Sequence, residues 1–257
     1  MVTIRIEALH VSLGRRAVLH GTDASLEAGS LIGIIGPNGA GKYTLARALL
    51  ALTPYRGRVD IDGEDAGAMN RAGLARRIAY LPQGQTLHWP LTAERLVGLG
   101  RLPHLTPMSR IGERDQAAIE AAMAKADVLP LRDRIATELS GGERARVLLA
   151  RALAVEAPAL IADEPLTSLD PRHQIEVMKL LAREARAGAL VVVILHDLTM
   201  AARHCDRLIL LDQGRIVADG APLDVLTEAR LASVYGIGAR IEMVGSAPLV
   251  VPIDSSD

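Results

Sequence analysis

Nine consecutive residues, Gly36-Pro37-Asn38-Gly39-Ala40-Gly41-Lys42-Tyr43-Thr44, have the composition of a phosphate cradle. Glycines let successive backbone N–H groups turn toward one anion, a helix N-terminus adds positive potential, and a lysine at the exit reaches the terminal phosphates. Lys42 is an informative choice, because only three of the 29 basic residues are lysine. A compact ammonium in an arginine-rich chain marks a place where a planar guanidinium does not fit. Tyr43 is out of character, a bulky phenol directly after the lysine.

Four further groups stand where the same chemistry would need them. Asp163 and Glu164 follow the apolar run Ala159 to Ala162, and adjacent acids at a strand end suit a magnesium carboxylate followed by a base that aligns water. An isolated acidic pair is often only a solvated strand end; a phosphate loop in the same chain favours the functional reading. His196 follows Leu190 to Leu195 and suits a hydrogen-bonding switch at a terminal phosphate, while Gln83 follows Ile78 to Leu81 and suits a water or a metal. Leu139-Ser140-Gly141-Gly142-Glu143 reads locally as a capping box, with Ser140 and Glu143 starting a helix. Its two glycines exceed what a cap needs and expose backbone N–H groups at a helix start, a second anion site. Before Pro171, Asp170 of Ser168-Leu169-Asp170 reads as a cap, which alone accounts for that aspartate.

These residues need a sheet that brings strand ends to one edge. Leu31 to Ile35, Ile78 to Leu81, Ala159 to Ala162 and Leu190 to Leu195 are short apolar runs separated by helical segments, the pattern of a parallel sheet covered on both faces. Residues 3–9 and about 18–26 predict an antiparallel hairpin around Gly14-Arg15-Arg16, and Gly57 to Ile61 adds a strand. From Thr92 to about Ala154 the periodicity is helical, which predicts an inserted lobe. Leu208 to Leu211 and Arg215 to Ala218 flank Asp212-Gln213-Gly214 as a second hairpin. The tail from Thr227 predicts one helix, weak strands and a polar end at Asp254 to Asp257.

A chain of 257 residues that is 49% hydrophobic buries a sizeable core, and with no phenylalanine and 2% aromatics that core is aliphatic. The net charge of −1 provides no basic field for nucleic acid. A lone Cys205 excludes an intrachain disulfide and fits a reducing compartment. The first residues lack the apolar region of a signal peptide and no stretch has the length of a membrane span, so a cytosolic location is expected.

In order and type, GPNGAGK at 36–42, Gln83, LSGGE at 139–143, ADEP with SLD at 162–170, and His196 resemble the nucleotide-binding subunit of ATP-binding-cassette (ABC) transporters, over nearly the whole chain. The resemblance implies an α/β P-loop NTPase (RecA-like) core with an N-terminal antiparallel β subdomain and an inserted α-helical subdomain. Its expected divisions are 1–84 with 157–226 as nucleotide-binding core, 85–156 as helical signature subdomain and 227–257 as C-terminal extension. It implies ATP and Mg2+ as cofactors. Gly36 to Thr44 would bind nucleotide, Asp163 and Gln83 the metal, and Glu164, His196 and Gln83 would serve catalysis. It also implies a homodimer in which Leu139 to Glu143 of one copy cover ATP held by the other, and it makes Ser168, Leu169 and Asp170 the D-loop. Expected partners are transmembrane permease subunits and, indirectly, a periplasmic substrate-binding protein, with the chain peripheral on the cytoplasmic face of the membrane and no nucleic acid.

A finer resemblance, carried by Leu96 to His104, His196-Asp197-Leu198, Gly220 and Val225-Leu226-Thr227, is to importers of iron-siderophore complexes, haem or vitamin B12. Trp89, the only tryptophan, falls where the family docks its permease; it reads equally as an interface anchor or as packing for the helical lobe. Two departures bear on activity. The family has a magnesium-holding serine or threonine where Tyr43 stands, with Thr44 one position out of register, which predicts slow hydrolysis. The aromatic that stacks on adenine is also missing from Leu13-Gly14-Arg15-Arg16, where an arginine would have to substitute. The alternatives are therefore a hydrolysis-impaired nucleotide-binding subunit and a non-transport ABC ATPase.

Overall fold

The computed structural model describes residues 1–84, 87–106, 108–245 and 247–255; Ser256 and Asp257 of the polar end lie outside the described residues. The chain opens with a long hairpin, β1 (Thr3–Leu13) and β2 (Arg16–Glu27), then β3 (Leu31–Ile35), the loop, and α1 (Lys42–Leu49). β4 (Arg56–Ile61), the short β5 (Glu64–Asp65), α2 (Arg71–Arg77) and β6 (Ile78–Leu81) follow. The helical region contains α3 (Ala93–Gly98), α4 (Glu113–Lys125) and α5 (Gly141–Leu153). The chain re-enters the sheet through β7 (Ala159–Asp163), α6 (Pro171–Arg186), β8 (Leu190–Ile194), α7 (Leu198–His204), β9 (Arg207–Asp212) and β10 (Arg215–Gly220). Two short helices, α8 (Pro222–Val225) and α9 (Glu228–Arg230), a π turn (Leu231–Tyr235) and the hairpin β11 (Ile237–Val244) and β12 (Ala247–Ser255) complete it.

The central sheet has the order β10-β9-β3-β8-β7-β6, parallel except for the antiparallel edge β10. Its side chains alternate between two cores, as the two-residue strand period requires. On β3, Leu31 and Ile35 join a cluster shared with the helical region and the tail, whereas Ile32 and Ile34 join one shared with α1 and the β2-β1-β4-β5 sheet. Val191 and Val193 of β8 face the first cluster, and Leu190, Val192 and Ile194 the second. With both faces covered, the central strands admit no polar residue until their ends. The architecture is thus the expected α/β core with an antiparallel β subdomain and an inserted helical subdomain.

Local differences from the sequence-based expectation have local causes. The first hairpin is longer than residues 3–9 and 18–26, because β1 continues past a bulge at Ala8, whose φ of 45° and N–H to Asp23 Oδ1 (2.7 Å) absorb the irregularity. The tail helix is only α9 and one π turn, and the weak strand signals after it form a full hairpin. That hairpin is pinned by α7 side chains that no local pattern reports.

Arg101 is 2% exposed. It donates to Asp115 Oδ1 (2.9 Å), to the Ala154 carbonyl (2.7 Å) and to Glu156 Oε2 (2.8 Å), joining the segment after α3 to α4 and to the end of α5. Arg101→Ala removes a buried cation and its packed stem while its partners stay. The expected loss is about 3 kcal/mol, read as a lower urea midpoint. A midpoint that does not move would show these contacts to be dispensable.

Candidate functional site

Parallel strands deliver their C-terminal ends to one edge, and the described polar groups collect there. The loop between β3 and α1 wraps the N-terminus of α1 under β2. Gly36 (φ 148°) and Gly41 (φ 106°) are required: a Cβ on Gly36 would lie 2.2 Å from the Leu211 carbonyl oxygen, and one on Gly41 would lie 2.8 Å from Leu19 Cδ2. Lys42 is buried and its Nζ donates to the carbonyls of Gly36 (2.7 Å) and Pro37 (3.0 Å). Burial lowers its pKa, while the charges of Glu164 and Asp163 oppose that shift.

β7 ends in Asp163, which is 2% exposed; burial first, and the Glu164 charge second, hold its carboxyl above the usual range. A cation beside it would relieve that cost. The Tyr80 hydroxyl donates to Asp163 Oδ2 at 3.4 Å, and burial together with the Asp163 charge raises the phenol's pKa. Glu164 adopts φ 50° and is held from three sides, by Gln83 Nε2 (2.5 Å), His196 Nε2 and Thr167 Oγ1 (3.4 Å). A non-glycine residue in the left-handed region costs on the order of 1 kcal/mol or more, and such strain concentrates at functional sites.

Lys42, Thr44, Gln83, Asp163, Glu164 and His196 therefore line one cavity of about 690 Å³. Sequence reasoning named all six as site residues. It did not assign roles to Tyr80 or Thr167, whose only local signals are a hydroxyl inside an apolar strand and one in the turn after Pro165. The lining of the cavity also includes Arg16 and His20 but not Arg15, so Arg16 is the arginine available to a stacked base.

The segment Leu139 to Glu143 is not part of this cavity. Ser140 and Glu143 form the predicted capping box, with Glu143 also accepting from Arg134 Nη1 (2.9 Å). Glu143's pKa is held low by the Ser140 N–H first. A Cβ added to Gly141 would meet Ser168 Cβ at 3.6 Å and one added to Gly142 would meet Leu169 Cδ2 at 3.6 Å, so the two short motifs lie side by side. Asp170 accepts from the His173 N–H (3.0 Å) as the α6 cap. Gly141 and Ser168 line a second cavity of about 250 Å³ that shares Asp163 and Glu164 with the first.

Tyr43 has turned out of the crowded loop and is 48% exposed. Its hydroxyl accepts from Arg47 Nη1 at 3.0 Å, and the Arg47 guanidinium lies 5.4 Å from the ring centroid. Thr44, one residue on, is buried. Asp163 and Gln83 thus suit a divalent cation and Tyr43 does not, because its oxygen already serves a guanidinium. Among the described residues no group of three or more His, Cys, Asp and Glu side chains forms a metal cage, so an ion here would share its coordination with phosphate oxygens and water.

Comparison with known proteins places these features in a family context. The ABC transporter family model matches residues 19–167. The chain is 46% identical over 242 residues to the hemin import ATP-binding protein HmuV of Nocardia farcinica, covering 93% of this chain and 83% of that one. It is 44% identical to the cobalamin import ATP-binding protein BtuD of Halobacterium salinarum, covering 96% of this chain and 61% of that one. Among solved structures, the ADP conformation of an ATP-binding cassette of an ABC transporter superimposes with a TM-score of 0.81 at 24% identity, over 91% of this chain and 98% of that one.

Proposed function

The chain belongs to the ABC transporter family as an ATP-binding subunit, and from that premise we propose that it hydrolyses ATP to drive an importer of haem, cobalamin or an iron-siderophore complex. The observation that carries the ATPase reading is the convergence of Lys42, Gln83, Asp163, Glu164 and His196 on one cavity at the carboxyl edge of the sheet. The loop N–H groups and Lys42 hold the phosphates. Glu164, oriented by Gln83, His196 and Thr167, takes up the proton of the attacking water, and His196 stands at the terminal phosphate. Asp163 and Gln83 would hold Mg2+, which when bound neutralises phosphate charge.

In this reading two copies pair head to tail, so that Ser140, Gly141 and Gly142 of one cover the nucleotide held by the other. None of residues 139–143 lines the copy's own nucleotide cavity, which supports the pairing. Residues 85–156 act as the lobe that follows the partner's nucleotide, 1–84 with 157–226 as the binding core, and 227–257 as an extension. No helix among the described residues is long and apolar enough to cross a membrane. In this reading the chain works with transmembrane permease subunits at the cytoplasmic face of the membrane.

Trp89 is 75% exposed beside a cavity of about 400 Å³ lined by Leu87, Leu91, Leu96 and Leu99. That exposure favours the anchor over the packing role. Trp89→Ala is expected to weaken permease binding by about 2 kcal/mol, roughly thirtyfold, without changing the ATPase rate of the free subunit. Pull-down with the permease in detergent measures it; unchanged capture would remove the anchor.

Uptake by vesicles containing the permease and this subunit, with haem, cobalamin and a ferric siderophore compared side by side, tests the whole reading. ATP-dependent uptake of none of the three would refute the cargo class, and absence of ATP hydrolysis in the assembled complex would refute the motor. The Tyr43–Arg47 contact favours a slow motor as the second reading.

A further inference from the structure

Asp212 and Arg215 pair at the ends of β9 and β10, so a two-residue turn, Gln213-Gly214, closes the hairpin with φ of 44° and 75°. Such turns need φ above zero at both central positions, and they select Asn-Gly, Asp-Gly or Gly-Gly because a short or absent side chain makes that backbone cheap. Glutamine has neither advantage. A longer side chain in left-handed backbone is a cost that the surroundings must sustain, and such costs gather at functional sites. The surroundings here do sustain it. Gly214 donates its N–H to the Ala40 carbonyl of the phosphate loop (3.0 Å), and its own carbonyl accepts from the His20 N–H (3.0 Å) and from Thr22 Oγ1 (3.3 Å). A Cβ on Gly214 would lie 2.1 Å from the Val18 carbonyl oxygen, so the turn is clamped between the loop and β2.

The turn stands on the wall of the nucleotide cavity, which Asp212 and Gln213 both line. The strand order gives its place along that wall. β9 flanks β3 on one side, and β8, β7 and β6 lie in that order on the other. His196, the pair Asp163 and Glu164, and Gln83 stand at the ends of β8, β7 and β6, so the terminal phosphates belong on that side of the loop. A nucleotide placed there carries its base the opposite way, toward β9, where Leu13, Arg16, His20, Asp212 and Gln213 complete the lining. Arg16 can stack on a purine face, but stacking accepts adenine and guanine alike. Gln213 is exposed on this wall, and its carboxamide sets an acceptor beside a donor.

We propose that Gln213 is a specificity-determining residue for the nucleotide: its carboxamide hydrogen-bonds the N6/N7 edge of adenine while Arg16 covers the face. The proposal rests on the ATP reading above. A carboxamide can turn over, so it distinguishes two purines only where one of them matches neither orientation. At this edge adenine offers a donor and an acceptor, which Oε1 and Nε2 meet together, whereas guanine offers two acceptors and leaves Oε1 facing a lone pair. A glutamine that only closed the turn would be indifferent to the base.

Gln213→Gly separates the two roles, because glycine keeps the φ of 44° without steric cost and removes the carboxamide. Displacement of a ribose-labelled fluorescent ATP analogue from the full chain gives the Kd of ATP, of GTP and of 7-deaza-ATP, in which a C–H replaces N7. The unsubstituted chain is expected to bind ATP about tenfold tighter than GTP and about fivefold tighter than 7-deaza-ATP. In Gln213→Gly the three are expected to bind within about twofold of one another, through loss of ATP affinity, with Tm changed little. Equal Kd values for ATP and GTP in the unsubstituted chain would overturn the proposal and leave the ATP reading standing. A preference for GTP would also overturn it and would give the base to the Asp212 carboxylate. Selectivity that survives Gln213→Gly would overturn it, and so would equal weakening of all three nucleotides, the mark of a turn that only supports the loop. Failure of the unsubstituted chain to bind the analogue or any of the three would overturn the ATP reading itself.

Discussion

Replacing Glu164 with glutamine is expected to lower ATP turnover by about 10³-fold while leaving nucleotide bound, because the amide keeps the shape of the side chain and loses the base. Glu164 is the group for which this structure makes the largest local investment. It occupies left-handed backbone at φ 50° and takes contacts from Gln83, Thr167 and His196, each from a different element of the site. Three contacts on one carboxylate leave it little rotational freedom, which is what a base needs if it is to meet a water in line with the terminal phosphate. Phosphate release under saturating ATP, alongside equilibrium binding of a fluorescent analogue, separates chemistry from affinity. Turnover that falls less than about tenfold would assign the base to another residue.

Tyr43→Ser is expected to act in the opposite direction and to raise magnesium-dependent turnover by about 10²-fold, equivalent to about 2.7 kcal/mol of transition-state stabilisation. The serine would place a hydroxyl where the phosphate-loop pattern has one, whereas the phenol lies half exposed and hydrogen-bonded to Arg47. Thr44 is no ready substitute. It lies one residue further on, and adjacent residues of a helix point about 100° apart. Titration of Mn2+ in the presence of nucleotide should show tighter metal binding by the serine variant, together with its faster turnover. If both stay at the level of the unsubstituted chain, Asp163 and Gln83 suffice for the metal and the slow-motor reading falls.

Much of the site was legible along the chain because its chemistry is carried by strand ends. An apolar run followed by Asp163, Gln83 or His196 declares both the strand and the edge where it stops, and the glycine spacing around Lys42 declares the turn. The antiparallel β subdomain was legible as a hairpin but its length was not, since the bulge at Ala8 interrupts the alternation that marks a strand. The tail hairpin was weaker still. β11 and β12 pair only with each other and lean on α7, so their residues carry only a partial hydrophobic pattern.

The sequence by itself determined the ligand class and the candidate site residues, because glycines, a lysine, two acids, a glutamine and a histidine at strand ends admit few other chemistries. Only the tertiary structure decided where Tyr43 points and which groups grip Glu164. It also decided that Thr199 and Arg203 of α7 hold the tail hairpin. The reason is the range of the interactions. Backbone turns and strand ends are set by neighbours in sequence, whereas a side chain's rotamer and its distant partner are set by the packing of elements that meet only when the sheet is assembled.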